Sequence, residues 1–328
     1  MMQIDLATIL DTPWLEPALQ QLQRAHAAGR FPSALLIHDP HGLGGEAVAQ
    51  YAARLALCRM PNAPCGECRD CRLFEAEQHP DYLLVTPIED SKQIRVEQIR
   101  ELCEQLALTS HGGRATVAVL TPADSMNINA ANALLKTLEE PRAGVTLILI
   151  SAVPSLLPPT ILSRCRRLSL HAPSRDVSIA WLERRRGRGP WAEVLEVLGD
   201  APFDVLRSDP AEVARVKLDT ERTLESAAGG RLDAATIADQ WGRAENLELR
   251  LTCFENWLTS RIDRGMRRAG KSREMRSGAH LPESDSELNM TALLRLLDGV
   301  YDLRRLRLSS INRPLTLELL LRGLTPRH

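Results

Sequence analysis

Short continuous apolar runs alternate with helical patterns through the first half of the chain. Ser33–Ile37 (SALLI) is a strand that ends in the turn-rich stretch HDPHGLGGE, and an Ala/Leu-rich amphipathic helix follows over 46–57. Asp81–Val85 is a second strand, and Ile94, Ile99, Leu102 and Leu106 set a 3.6-residue period over 94–107. Ala115–Leu120 (ATVAVL) is a third strand, 127–139 a helix stopped by Pro141, and Val145–Ile150 a fourth strand with no polar break. Arg167–Leu170 supplies a fifth. Uninterrupted apolar strands suit a sheet covered on both faces, so 33–170 is expected to be an α/β domain with a mainly parallel sheet. Beyond His171 the strand-like runs vanish and Leu/Ala/Arg-rich helical patterns continue to the end.

Pro173-Ser174 and Asp209-Pro210 punctuate that helical half. The expected layout is an α/β domain over 1–170, a small helical lid over 171–208 and an all-α domain over 209–328. The stretch from Arg268 to Ser286, rich in Gly, Ser and charge, is expected to be a loop. The tail stripe Leu293, Leu294, Leu297 and Val300 is expected to be core or subunit interface, two alternatives that sequence leaves open.

The 328 residues carry 41 Lys+Arg against 42 Asp+Glu, so no global basic field holds a polyanion, although a local patch is still allowed. Aromatic residues make up only 4%, which disfavours a base-stacking platform. No apolar run approaches the length of a membrane span, and the opening MMQIDLATILDTPW lacks the basic start of a signal peptide. A cytoplasmic protein is expected.

Four of the seven cysteines, Cys58, Cys65, Cys68 and Cys71, are spaced C-x6-C-x2-C-x2-C. In a reducing compartment four thiolates this close suit a tetrahedral Zn²⁺ site, with Pro64, Gly66 and Asp70 suiting a tight knuckle. Four protein ligands leave no position for water or substrate, so the expected zinc is structural. The alternative is free thiols in an irregular loop. Cys103, Cys165 and Cys253 stand alone and are expected to be small buried apolar residues.

A strand, a glycine-rich loop and a helix make the geometry of a phosphate-binding loop. In Asp39-Pro40-His41-Gly42-Leu43-Gly44-Gly45-Glu46, Gly42 and Gly44 keep the turn, but Gly45 stands at the lysine position and Glu46 at the hydroxyl position. A carboxylate repels phosphate where Mg²⁺-nucleotide should lie. After the third strand, Thr121 and Pro122 stand where an acidic pair should hold Mg²⁺ and orient water, while Asp124 is read as a helix N-terminal cap. The expectation is a nucleotide-binding fold without hydrolysis.

The runs Asn132-Ala-Leu-Leu-Lys-Thr-Leu-Glu-Glu-Pro141 and Pro158-Pro-Thr-Ile-Leu-Ser-Arg-Cys165 together resemble the AAA+ subunits of the bacterial DNA polymerase III clamp loader. The four-cysteine insertion and His79-Pro80-Asp81 are similar to the γ/τ and δ′ members, and Asn312–Glu318 is similar to the end of the family's collar domain. Gly45 and Glu46 point to the δ′ branch, whose nucleotide loops are degenerate. The resemblance implies an AAA+ domain, a lid and an oligomerising collar, in a non-ATPase stator of the polymerase holoenzyme. The implied partners are γ/τ and δ subunits, with the sliding clamp and primed DNA reached through the complex. Where active members carry a lid arginine that senses the γ-phosphate, this chain has Phe203. Ser163-Arg164-Cys165 matches the family's arginine-finger triplet, which implies that Arg164 completes a neighbouring γ/τ active site.

Two rivals are an active AAA+ ATPase with an atypical loop and a zinc-containing DNA-binding protein on a degenerate ATPase fold. The basic runs 184–188 and 261–276 are expected to be solvated helix faces or mobile loops.

Overall fold

The computed structural model describes residues 3–40, 42–88, 93–107, 115–274, 290–305 and 313–324, without the side chains of 267–274, 304, 305 and 313. The chain divides into two compact units, one of Met1–Gly187 with Asp200–Leu206, the other of Arg188–Gly199 with Arg207–His328.

The first unit is built on five parallel strands, β1 (Ala34–His38), β2 (Tyr82–Val85), β3 (Thr116–Leu120), β4 (Val145–Ser151) and β5 (Arg166–Ser169). Their order is β2-β3-β4-β1-β5. The central strands β3 and β4 are buried at every residue, as their unbroken apolar sequence requires. Around the sheet stand α1 (Leu6–Leu10), α2 (Glu16–Ala27), α3 (Gly45–Leu57), α4 (Arg69–Glu75), α5 (Val96–Ala107), α6 (Ile128–Glu139), α7 (Pro159–Leu162) and α8 (Arg175–Arg186). Leu36, Ala118, Leu120, Leu147 and Leu149 form one core with Ile99, Leu102 and Leu106 of α5 and Leu134 and Leu138 of α6. Leu35, Ile37, Val117, Val119 and Ile148, of opposite parity on the strands, are just as buried, and α3 lies against β1, β3 and β4.

The segment 171–208 is shared between the units: α8 and Asp200–Leu206 belong to the first, α9 (Trp191–Leu198) to the second. Both punctuation points are helix N-caps. Ser174 accepts a hydrogen bond from Val177 N at the start of α8. Asp209 accepts one from Ala211 N at the start of α11 (Pro210–Ala228), which follows α10 (Pro202–Arg207).

The second unit adds α12 (Ala234–Gly242), α13 (Leu247–Glu274), α14 (Met290–Arg305) and α15 (Arg313–Arg322). Its core joins Leu224, Ile237, Trp241, Phe254, Leu258, Val300 and Leu317, so the tail stripe contributes core at Leu293 and Val300 while Leu294 is exposed. The loop expected from Arg268 is instead helix as far as Glu274; the rest of it, 275–286, lies outside the described residues, as does Asn312 of the terminal run. Strong helix formers in this segment keep α13 going past the glycines. Among the described residues, no helix is long and apolar enough to cross a membrane.

Candidate functional sites

The phosphate-type loop turns on two glycines in the left-handed region, Gly42 (φ +55°) and Gly44 (φ +108°), and Gly44 caps α3. Two of its amides are not free for a ligand. Asp39, which stands at the first glycine position of a G-x-x-x-x-G-K-[ST] motif, accepts from Leu43 N at 3.0 Å and from Gly45 N at 2.6 Å. A carboxylate of the chain itself occupies the place of an anion at the helix start. A Cβ added to Gly45, where a lysine belongs, would meet the Asp39 Cβ and Oδ2 at 2.7 Å.

The other side of the loop is filled from α10. Phe203 N donates to Gly42 O at 3.0 Å, and a Cβ on Gly44 would meet the Phe203 ring at 2.5 Å. A Cβ on Gly42 would meet the Asp204 carboxylate at the same distance. Phe203 is 1% exposed and joins Trp181 of α8 (centroids 5.1 Å) and Trp14 (6.0 Å) in an aromatic cluster. Trp14 also donates its indole N–H to Leu43 O at 2.7 Å. Phe203 is thus an apolar plug against the loop.

At the end of β3, Thr121 is buried, Pro122 follows, and neither side chain offers a carboxylate. Asp124 is not the expected cap. It accepts from Ala152 N at 3.1 Å, tying the ends of β3 and β4 together. Asn127 caps α6, by accepting from Ala130 N at 2.8 Å. The chain reaches Asn127 through a one-turn 3-10 segment, which moves Asp124 off the helix axis.

Ser163-Arg164-Cys165 lies between α7 and the edge strand β5. Arg164 donates to the Ser163 hydroxyl at 3.2 Å, while Cys165 turns into the core. Ser163 Oγ donates to Thr160 O at 3.0 Å and Cys165 is buried, its thiol pushed up to about 11 by burial. Arg164 points outward with its side chain 33% exposed, and one Nη donates to Glu139 at 2.7 Å, the other to Thr160 O at 2.9 Å. An ion pair this exposed is worth about 0–1 kcal/mol, and two further hydrogen bonds, to Thr160 O and Ser163 Oγ, hold the same guanidinium on its own turn.

Cys58 ends α3 and Cys68 caps α4. The four Sγ atoms of Cys58, Cys65, Cys68 and Cys71 lie within 4.8 Å of one another, with separations of 3.6 Å for Cys58–Cys65 and 3.9 Å for Cys58–Cys68 and Cys65–Cys71. A tetrahedral ZnS₄ centre with bonds of about 2.3 Å has edges of about 3.8 Å, so the thiols fit one zinc. Backbone N–H groups of Glu67 and Cys68 pull the Cys65 thiol down to about 7, whereas burial pushes Cys58 and Cys71 up. A divalent cation reverses that cost by stabilising all four thiolates. Around them, Asp70 pairs with Arg59 at 2.7 Å, and buried Arg54 bridges Glu75 (2.7 Å) and Ile4 O (2.8 Å) over the Phe74 ring. His79 accepts from Asp81 N at 3.1 Å where the knuckle runs into β2.

Of the lone cysteines, Cys165 and Cys253 are buried as expected. Cys103 is only half-buried and accepts from the Thr137 hydroxyl at 3.3 Å. The basic run 184–188 is only partly a solvated face. Arg185 binds Thr8 and Asp11 and stacks near Trp181, and Arg186 donates to Leu206 O at 3.0 Å. In the run 261–276, Arg261 packs 4.1 Å over the Trp257 ring, and the side chains from 267 onward lie outside the described residues. Sequence reasoning missed Asp39 and Trp14. The signal for Asp39 was there, an acid at the first-glycine position; Trp14, far off in sequence, left none.

A family profile described as DNA polymerase III, delta subunit, matches residues 14–174. A Pseudomonas aeruginosa protein named DNA polymerase III subunit delta′ is 37% identical over 255 residues, 75% of each chain. The Escherichia coli K12 protein of the same name is 38% identical over 174 residues, 52% of each chain. A solved Thermotoga maritima structure, titled a DNA polymerase III gamma subunit-related protein, aligns with TM-score 0.50 over 95% of this chain and 98% of its own. At 15% identity, that likeness is one of fold.

Proposed function

The chain belongs to the DNA polymerase III subunit delta′ family, and from that premise we propose that it is the ATPase-silent stator of a cytoplasmic clamp loader. In this reading it joins γ/τ and δ subunits through its all-α collar, and the complex places a sliding clamp on primed DNA. The contrast that carries the reading is between the two ends of one nucleotide chemistry. Two of the chain's own loop amides are held by Asp39 and its loop is covered by Phe203, while Arg164 stands exposed, held by one ion pair and by hydrogen bonds to its own turn.

A planar guanidinium with fixed donors suits stabilisation of a γ-phosphoryl group in a neighbour's site. The stator role is supported by how α10 is held: its contacts to the loop need no nucleotide, so the first unit stays closed through a neighbour's ATP cycle. Reconstitution with the γ/τ partner and clamp tests this. Arg164→Ala is expected to assemble normally and to slow turnover at the site it completes by on the order of 10³–10⁵. Turnover equal to wild type would remove the finger.

The four cysteines are proposed to hold a structural zinc that cross-links the end of α3 to the start of α4. Metal analysis is expected to give about one zinc per chain. Cys68→Ser is expected to lose it and to melt the 58–75 segment, followed by amide exchange; zinc loss with unchanged protection there would make the metal incidental.

A further inference from the structure

At the β5 edge of the sheet, side chains far apart in sequence open onto one groove. Arg24 near the end of α2, Arg30 in the turn before β1 and Arg166 at the start of β5 line a concavity of about 580 Å³, walled further by Pro17, Gln20 and Gln21. β5 pairs with β1 alone, Arg166 opposite Leu35, which sets Arg166 beside the chain that leads out of α2. All three arginines are exposed and no lining residue is acidic. Among the described residues none of the three enters an ion pair; Arg24 meets only the Gln20 side-chain oxygen, at 3.4 Å. The nearest acid along α2, Glu16, accepts from the Gln20 amide at 2.9 Å.

Three guanidiniums around one concavity repel one another unless an anion is shared between them. Their forked donors match phosphate oxygens two at a time, and the Gln21 amide adds further N–H groups. The lining holds no aromatic ring on which a base could stack, and its apolar side chains are limited to Pro17 and Ala25. The groove is therefore built for charge and not for base or side-chain recognition. We propose that it is a phosphate-binding site, taking either the backbone of a nucleic-acid duplex or a free polyphosphate. The proposal stands apart from the finger and the stator, since it concerns the isolated chain.

The test uses the full chain, a fluorescent DNA duplex read by anisotropy across a salt series, and inorganic tripolyphosphate read by calorimetry. The variant Arg24→Ala/Arg30→Ala/Arg166→Ala is compared with Arg95→Ala/Arg100→Ala/Arg215→Ala, which removes the same charge from other exposed sites. If the duplex is the source, the groove variant is expected to lose at least about tenfold in affinity. Its log–log salt slope should be shallower by up to about 2.7, at about 0.9 per phosphate released, while the control keeps its slope. If tripolyphosphate binds with that same dependence and the duplex does not, the source is the free anion. Binding of neither ligand, or equal losses in the groove and control variants, would overturn the site.

Discussion

The phosphate-type loop and the Ser163-Arg164-Cys165 turn lie in one α/β unit and have opposite fates. The loop has kept its glycines and its left-handed turns but has been closed from within, by a carboxylate on one side and a phenyl ring on the other. The turn has kept an outward guanidinium, backed by a buried thiol and one exposed ion pair. The difference shows that the loop departs from the phosphate-binding motif by more than a missing lysine. The space beside the loop glycines is packed by Asp39, Asp204 and Phe203.

The comparison can be broken first at the plug. Phe203→Ala removes a ring buried among Trp14 and Trp181 and is expected to cost about 3–5 kcal/mol, read as a lower midpoint in denaturant unfolding. A loss below about 1 kcal/mol would mean that the ring merely covers the loop. A smaller effect separates missing chemistry from occupied space. Restoring Gly45→Lys with Glu46→Ser is expected to yield no measurable ATP binding, because the new Cβ meets Asp39. Adding Asp39→Gly frees the two amides and is expected to raise affinity at least about tenfold, or about 1.4 kcal/mol, by calorimetry. Equal affinity in the double and triple variants would show that Asp39 does not seal the loop. The smallest effect is expected at the finger's tether. Glu139→Gln should change stability by less than about 1 kcal/mol and leave complex assembly intact. A larger loss would make the ion pair structural and Arg164 less free than its exposure indicates.

Much of this architecture is legible along the chain. The unbroken runs of β3 and β4 announce strands buried on both faces, and Ser174, Asn127 and Asp209 stand where helices begin. The cysteine spacing likewise places four thiols within reach of one ion. What stayed hidden depends on contacts between distant segments. The run 184–188 reads as a charged face, yet Arg185 turns inward because Thr8 of the first helix and Asp11 at its end meet it there. Asp124 reads as a cap, yet its carboxylate is taken by the backbone of the next strand.

By itself, then, the sequence determined the five strands, the main helices between them, where the thiols cluster and which motif residues the loop lacks, because periodicity, spacing and residue chemistry are local. Only the tertiary structure decided that Asp39 serves as the loop's own anion, that Phe203 closes it with two tryptophans, and that Arg24, Arg30 and Arg166 share one groove. Those outcomes rest on where the chain returns to itself across the sheet, and such long-range packing is set by the whole core at once.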